Sequence, residues 1–154
     1  LNADSWGVAD EARSSWTAVR RVKLRLRAGV VGFEAEPDLT QAAPIEIPTA
    51  AVHELRISPA RLRGLQVRDR GLEPLLFKDD WAVIDTGDTR MRSREVYAVN
   101  WDGEAVVAQL VQRGGQWYLN FLHPDFSPIN VRSGRMNVVG RVVYQPGRLL
   151  TGRL

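Results

Sequence analysis

Val67-Arg68-Asp69-Arg70-Gly71-Leu72-Glu73-Pro74-Leu75-Leu76-Phe77-Lys78-Asp79-Asp80-Trp81-Ala82-Val83-Ile84-Asp85-Thr86 decides how this chain is read. Arg63 to Arg68 reads as a strand that delivers the chain to a turn at Gly71. Trp81 to Asp85 reads as a second strand, a short apolar run closed by the turn residues Asp85-Thr86-Gly87-Asp88-Thr89. Taken alone, Gly71 is an ordinary turn glycine, and a Glu-Pro pair after a turn arises by chance.

Outward from this stretch the pattern stays β. Glu95 to Trp101 and Glu104 to Gln112 are alternating apolar runs joined by Asp102-Gly103, which predicts a hairpin. Gly114-Gly115 turns into Trp117 to Leu122, and Asn137 to Tyr144 is the last long strand. Arg20 to Arg27 alternates basic with apolar residues, the mark of a strand with one buried and one solvated face. Glu34 to Pro48, punctuated by Pro37, Pro44 and Pro48, reads as an extended loop. Two short helices are expected: Thr49 to Leu55 with Thr49 as N-cap, and Ser58 to Leu62 with Ser58 as cap and Pro59 in the first turn. Many short strands with glycine turns predict a mainly β sandwich or barrel-like fold. Residues 1–20 read as a linker or N-terminal arm with helical character around Asp10 to Trp16, and residues 21–154 as one domain.

In combination the motifs resemble the C-terminal domain of LexA and the phage repressors, the S24-type serine–lysine self-cleaving peptidases. There a nucleophilic serine is followed by methionine, glutamate and proline, and the chain runs into a buried strand ending in aspartate or asparagine. Leu72-Glu73-Pro74 match the residues after the nucleophile, and Gly71 stands at the serine position. Gly103-Glu104-Ala105-Val106-Val107-Ala108-Gln109-Leu110-Val111 matches the strand bearing the catalytic lysine, and Ala108 stands in its place. The self-cleaved bond of the family is an alanine–glycine between linker and core. Ala28-Gly29 matches it as a vestigial cleavage bond. The resemblance covers about Arg21 to Gly147 and implies several coiled, mostly antiparallel sheets with one or two short helices.

The chemistry explains why two substitutions matter. A serine hydroxyl is a weak nucleophile until a base takes its proton. A lysine serves only when burial drops its pKa, to about 5–6 in documented cases. In a well-studied serine protease, loss of nucleophile or base costs on the order of 10⁶ in turnover. Glycine has nothing to attack with and alanine nothing to titrate. The chain has only two lysines, Lys23 and Lys78, and Lys78 lies in the polar turn after Gly71. Arg70 stays protonated at any useful pH. The expected member is therefore catalytically dead, without catalytic residues. A living peptidase using Ser93, Ser127 or Ser133 ranks below it, because none lies in the matching position beside a lysine.

Composition is that of one ordinary globular domain, with 44% hydrophobic and 25% charged residues. No cysteine is present, so there is no disulfide framework and no thiolate site. No apolar run approaches the ~20 residues that span a bilayer. Leu1 to Trp16 lacks the basic and apolar regions of a signal peptide, and a cytoplasmic location is expected. The absence of an initiator methionine suggests an excised fragment. The net charge of +3 invites a nucleic-acid reading, but 19 of the 21 basic residues are arginines scattered along the chain.

Other constellations fail as sites. His53 and His123 lack a second ligand at metal spacing, and His123 before Pro124-Asp125 reads as a turn residue. Asp79-Asp80 and Asp85 with Asp88 lack the spacing and central glycine of a calcium loop. Of the five tryptophans, Trp81, Trp101 and Trp117 fall in predicted strands, where packing is the default over base stacking. No metal and no cofactor is expected.

In relatives this domain follows a helix-turn-helix, dimerises the repressor through strands near the C-terminus, and cleaves itself to end repression. The resemblance thus implies a dimerising, regulatory C-terminal domain that has lost cleavage. It implies a homodimer, DNA contacted through a helix-turn-helix outside this fragment, an antirepressor or other protein as a further partner, and no membrane. Val138, Val139, Val142 and Val143 are the interface candidates, read as an apolar row at a sheet edge. The alternative is a partner-binding subunit like the mutagenesis accessory protein of the same fold.

Overall fold

The structure, a computed structural model, describes residues 15–41 and 43–146. The strands are β1 (Trp16–Val19), β2 (Val22–Arg25), β3 (Glu34–Pro37), β4 (Ile45–Pro48), β5 (Leu62–Gln66), β6 (Trp81–Asp85), β7 (Val96–Trp101), β8 (Glu104–Arg113), β9 (Gln116–Asn120), β10 (Ile129–Asn130) and β11 (Met136–Tyr144). One helix, α1 (Thr49–Glu54), and two 3₁₀ turns, Pro59–Arg61 and Val131–Ser133, complete the described elements. A seven-stranded antiparallel sheet in the order β10-β9-β8-β7-β11-β6-β5 carries the molecule, with two-stranded sheets β1-β4 and β2-β3 beside it. The mainly β, mostly antiparallel expectation holds.

The hairpins form where the turn residues demand them. Asp102 and Gly103 have φ of 50° and 93°, so a two-residue loop joins Trp101 to its partner Glu104. Gly114 and Gly115 do the same between Arg113 and Gln116. Positive φ at both central residues gives a turn whose twist matches the flanking strands.

Apolar residues collect on both faces of the large sheet. One face holds Leu65, Ile84, Ala98 and Val139 with Val22 against them, and Ala82 with Val67, Leu72 and Leu76. The other holds Tyr97, Val99, Ala108, Leu110 and Leu119. A third group, Val19, Ile45, Ile47, Val52, Leu62 and Val83, ties β1, β4 and α1 to β5 and β6.

Several local expectations are corrected. Glu34 to Pro48 is not one extended loop: β3 pairs with β2 and β4 with β1. The alternation that makes β4 a strand is short, with Ile45 and Ile47 buried and Glu46 exposed, and the prolines around it hid it. Trp16–Val19, placed at the end of the arm, is a strand with Val19 buried; the rest of the arm, residues 1–14, lies outside the described residues. Thr49 does not cap α1. Pro48 holds the cap position, and the Thr49 hydroxyl is instead 2.9 Å from that of Thr17. Ser58 caps the first 3₁₀ turn by position alone, with no side-chain hydrogen bond.

The larger correction concerns β11. It lies between β7 and β6, not at a sheet edge. Gly140 lets it pass there, since a Cβ at that position would lie 2.5 Å from the Asp85 carbonyl oxygen. The valines are largely used in the packing of the chain itself. Val139 is buried, while Val138, Val142 and Val143 are half-buried and pack between them on four clusters.

Candidate functional site

The link between β5 and β6 is built by short-range hydrogen bonds. Val67 N–H donates to Asp80 O and Asp79 N–H to Val67 O, closing the base of the loop. Inside it, Gly71 N–H donates to Asp69 Oδ1 at 2.8 Å. Leu75 N–H and Leu76 N–H both donate to Leu72 O, giving a tight turn. Leu72 and Leu76, at 1% and 3% exposure, anchor that turn in the core. The Arg70 guanidinium meets Glu73 at 2.8 Å, and the Glu73–Pro74 peptide is cis.

The loop docks on the end of β9. Gly71 O accepts from Leu122 N–H at 2.8 Å and from His123 N–H at 3.0 Å. A Cβ on Gly71 would point at the ring of Phe121, 2.7 Å from Cδ1. Ala108 sits in β8 opposite Tyr97 and is 0% exposed. Phe121 packs on the cluster that contains Ala108. The last pair joining β8 to β9 is Gln109 with Asn120, so Ala108 and Phe121 are the next residues on the two strands. Gly71 and Ala108, the positions where the resemblance expects nucleophile and base, thus both lie beside Phe121.

The ionisable side chain at Gly71 is Asp69, whose Oδ1 lies 3.0 Å from the Cβ position. Lys78 is exposed in the loop's polar turn, and Lys23 is exposed on β2. Ser93 Oγ accepts from Gln112 N–H, Ser133 Oγ donates to Asn130 O, and Ser127 is exposed. His123 behaves as a turn residue: its Nδ1 accepts from Asp125 N–H at 3.1 Å, and its Nε2 lies 4.0 Å from Glu73. Among the described residues no group of three His, Cys, Asp or Glu side chains is arranged to hold a metal.

Ala28-Gly29 is not brought to this place. It forms a turn between β2 and β3, with Gly29 at φ 74°. Asn100 Nδ2 donates to Arg27 O at 2.8 Å, and Val30 N–H donates to the same oxygen. Gly103 faces Ala28, its Cβ direction reaching Ala28 N at 3.4 Å. The turn therefore docks on the tip of the β7–β8 hairpin. Ala108 lies five residues further along β8, roughly 17 Å away at the strand rise.

Sequence reasoning missed two residues. Asn100 is 1% exposed and also accepts Gly103 N–H through Oδ1, so one buried amide ties the hairpin turn to the Ala28 loop. An asparagine inside an apolar strand beside an Asp-Gly turn was a usable signal. Phe121 gave none beyond its place in a predicted strand.

No curated protein is a detectable match for the chain. A family model does match, over the segment from β2 to the end of β11 that contains Gly71, Ala108 and Ala28-Gly29. With the antiparallel sheets just described, that match covers most of the chain: it belongs to the Peptidase S24-like family, over residues 23–143.

Proposed function

We propose that this chain is the dimerising, regulatory C-terminal domain of a helix-turn-helix repressor that has kept the peptidase fold and lost self-cleavage. The observation that supports this reading is that Gly71 and Ala108 both lie beside Phe121 and that neither carries a nucleophilic or basic side chain. A serine–lysine pair works as one unit. With both members gone, the functions left to the fold are assembly and regulation. A dimer matters because it presents two recognition helices to half-sites ~34–36 Å apart.

β11 cannot offer an edge for that assembly, so the interface is assigned to a face. Leu75, 55% exposed, lines a shallow groove with Val96, Val142, Val143 and Tyr144. An apolar row of this kind is normally covered. Sedimentation of the unmodified chain is expected to show a dimer. A monomer persisting at high concentration contradicts the dimerisation half of the proposal.

A further inference from the structure

A wide cleft lies away from Gly71, where β1 and β2 cross β5. It encloses about 880 Å³ and is lined by Arg20, Arg21 and Arg63 over an apolar floor that includes Pro59 and Leu62. Pockets of about 300–1,000 Å³ suit small organic ligands. The crossing is held by the backbone, Gly64 N–H donating to Arg20 O at 2.7 Å.

The charge in this cleft is one-sided. Three arginines line it against a single lining carboxylate, Asp38, which is 4% exposed and accepts both the Thr40 hydroxyl and the Thr40 N–H through Oδ1. Arg21 is held in place: its guanidinium stacks 4.6 Å from the Trp81 ring centre, and Nε–H donates to Ala43 O. Burial pushes its pKa down, with Asp38 opposing that shift, so Asp38 offsets Arg21 in part. Arg63 is fixed by Nη1 hydrogen bonds to Ala60 O and Leu62 O and keeps its other donors for the cleft. The Arg20 side chain makes no hydrogen bond or ion pair with the described residues, and Arg20 is exposed. Planar guanidinium forks recognise carboxylates well, and prolines supply rigid apolar walls.

We propose that this cleft binds a small organic anion, a carboxylate carried on an apolar body, with Arg20 and Arg63 holding the carboxylate and Arg21 contributing field. The site is independent of the reading of Gly71 and Ala108. It joins the small sheets to the large one, so an occupant would clamp the β2–β3 hairpin that carries the Ala28-Gly29 turn.

The test is titration calorimetry on the whole chain with three probes: 3-phenylpropanoate, its neutral isostere 3-phenylpropanamide, and inorganic phosphate. Saturable binding of the carboxylate is expected, with the amide and phosphate each weaker by about tenfold or more. Added salt should weaken it, since the cleft is open to solvent. Arg20→Ala with Arg63→Ala should lower affinity by about tenfold or more, while Arg113→Ala at the far end of β8 should not. Arg20→Gln alone keeps the test alive if the double variant fails to fold. Absence of saturable binding, equal binding of the amide or of phosphate, or unchanged affinity in the arginine variants would each overturn the proposal.

Discussion

A methyl group added at Gly71 would lie 2.7 Å from Cδ1 of Phe121 and 3.0 Å from Oδ1 of Asp69, inside ordinary packing distance. Gly71→Ser should therefore cost about 1–3 kcal/mol through overpacking. Phe121→Ala opens a cavity and costs about 2–4 kcal/mol on its own. Because the two side chains compete for one space, the double variant should be more stable than the sum of the single losses predicts, by about 1 kcal/mol or more. Urea unfolding of the four proteins measures this, and strict additivity contradicts the placement of Phe121. The same geometry means that Gly71→Ser with Ala108→Lys needs a smaller residue at 121 before the two groups can meet. The turn that holds Gly71 and the strand that holds Ala108 were legible in the sequence because flanking motifs mark both. Phe121 was legible only in principle: the two-residue Gly114-Gly115 turn sets Gln109 against Asn120, hence Ala108 beside Phe121. What no pattern shows is that the Gly71 loop folds back onto that ring.

Asp38 gives a prediction of pH dependence at the same scale. The hydrogen bond from the Thr40 hydroxyl, then that from its N–H, hold the carboxylate below its usual range. A carboxyl with a depressed folded pKa contributes stability that is complete above its unfolded value, about 3.9, and is lost as pH falls through the folded value. Stability should drop below about pH 4, and Asp38→Asn should make that drop shallower. Urea midpoints across the acid range check it; an unchanged slope in the variant contradicts the assignment.

Elements were legible in proportion to how local their causes are. The β7–β8 hairpin followed from one Asp-Gly pair between alternating runs, and β6 from a continuous apolar run closed by an aspartate. Gly103 has φ 93°, a backbone state that a Cβ penalises. Gly103→Ala should lower stability by about 1–2 kcal/mol, seen as a fall in urea midpoint with unchanged slope. β3 and β4 escaped notice because each is only four residues long and its partner lies elsewhere in the chain. A strand pattern that short carries little weight against three prolines. The position of β11 was not legible at all. Alternating valines say that a strand has apolar faces, and pairing on both sides by β7 and β6 is a long-range fact.

Across the whole molecule the seven-stranded sheet is a platform with one loop docked on it, and the exposed Leu75 sits on that loop. Leu75→Glu should weaken dimerisation with little change in unfolding midpoint, since the side chain is already 55% exposed. Val31→Glu, at an 82% exposed position on the Ala28 loop, is the control expected to leave assembly unchanged. Equal effects of the two changes, by sedimentation, would remove Leu75 from the proposed interface. Duplex DNA should bind the isolated chain weakly and without sequence preference, falling steeply with salt. The central claim is that the fold persists without its reaction, and intact-mass spectrometry after prolonged alkaline incubation tests it most directly. The full mass should persist unchanged, and the appearance of two fragments meeting at the Ala28–Gly29 bond would contradict it.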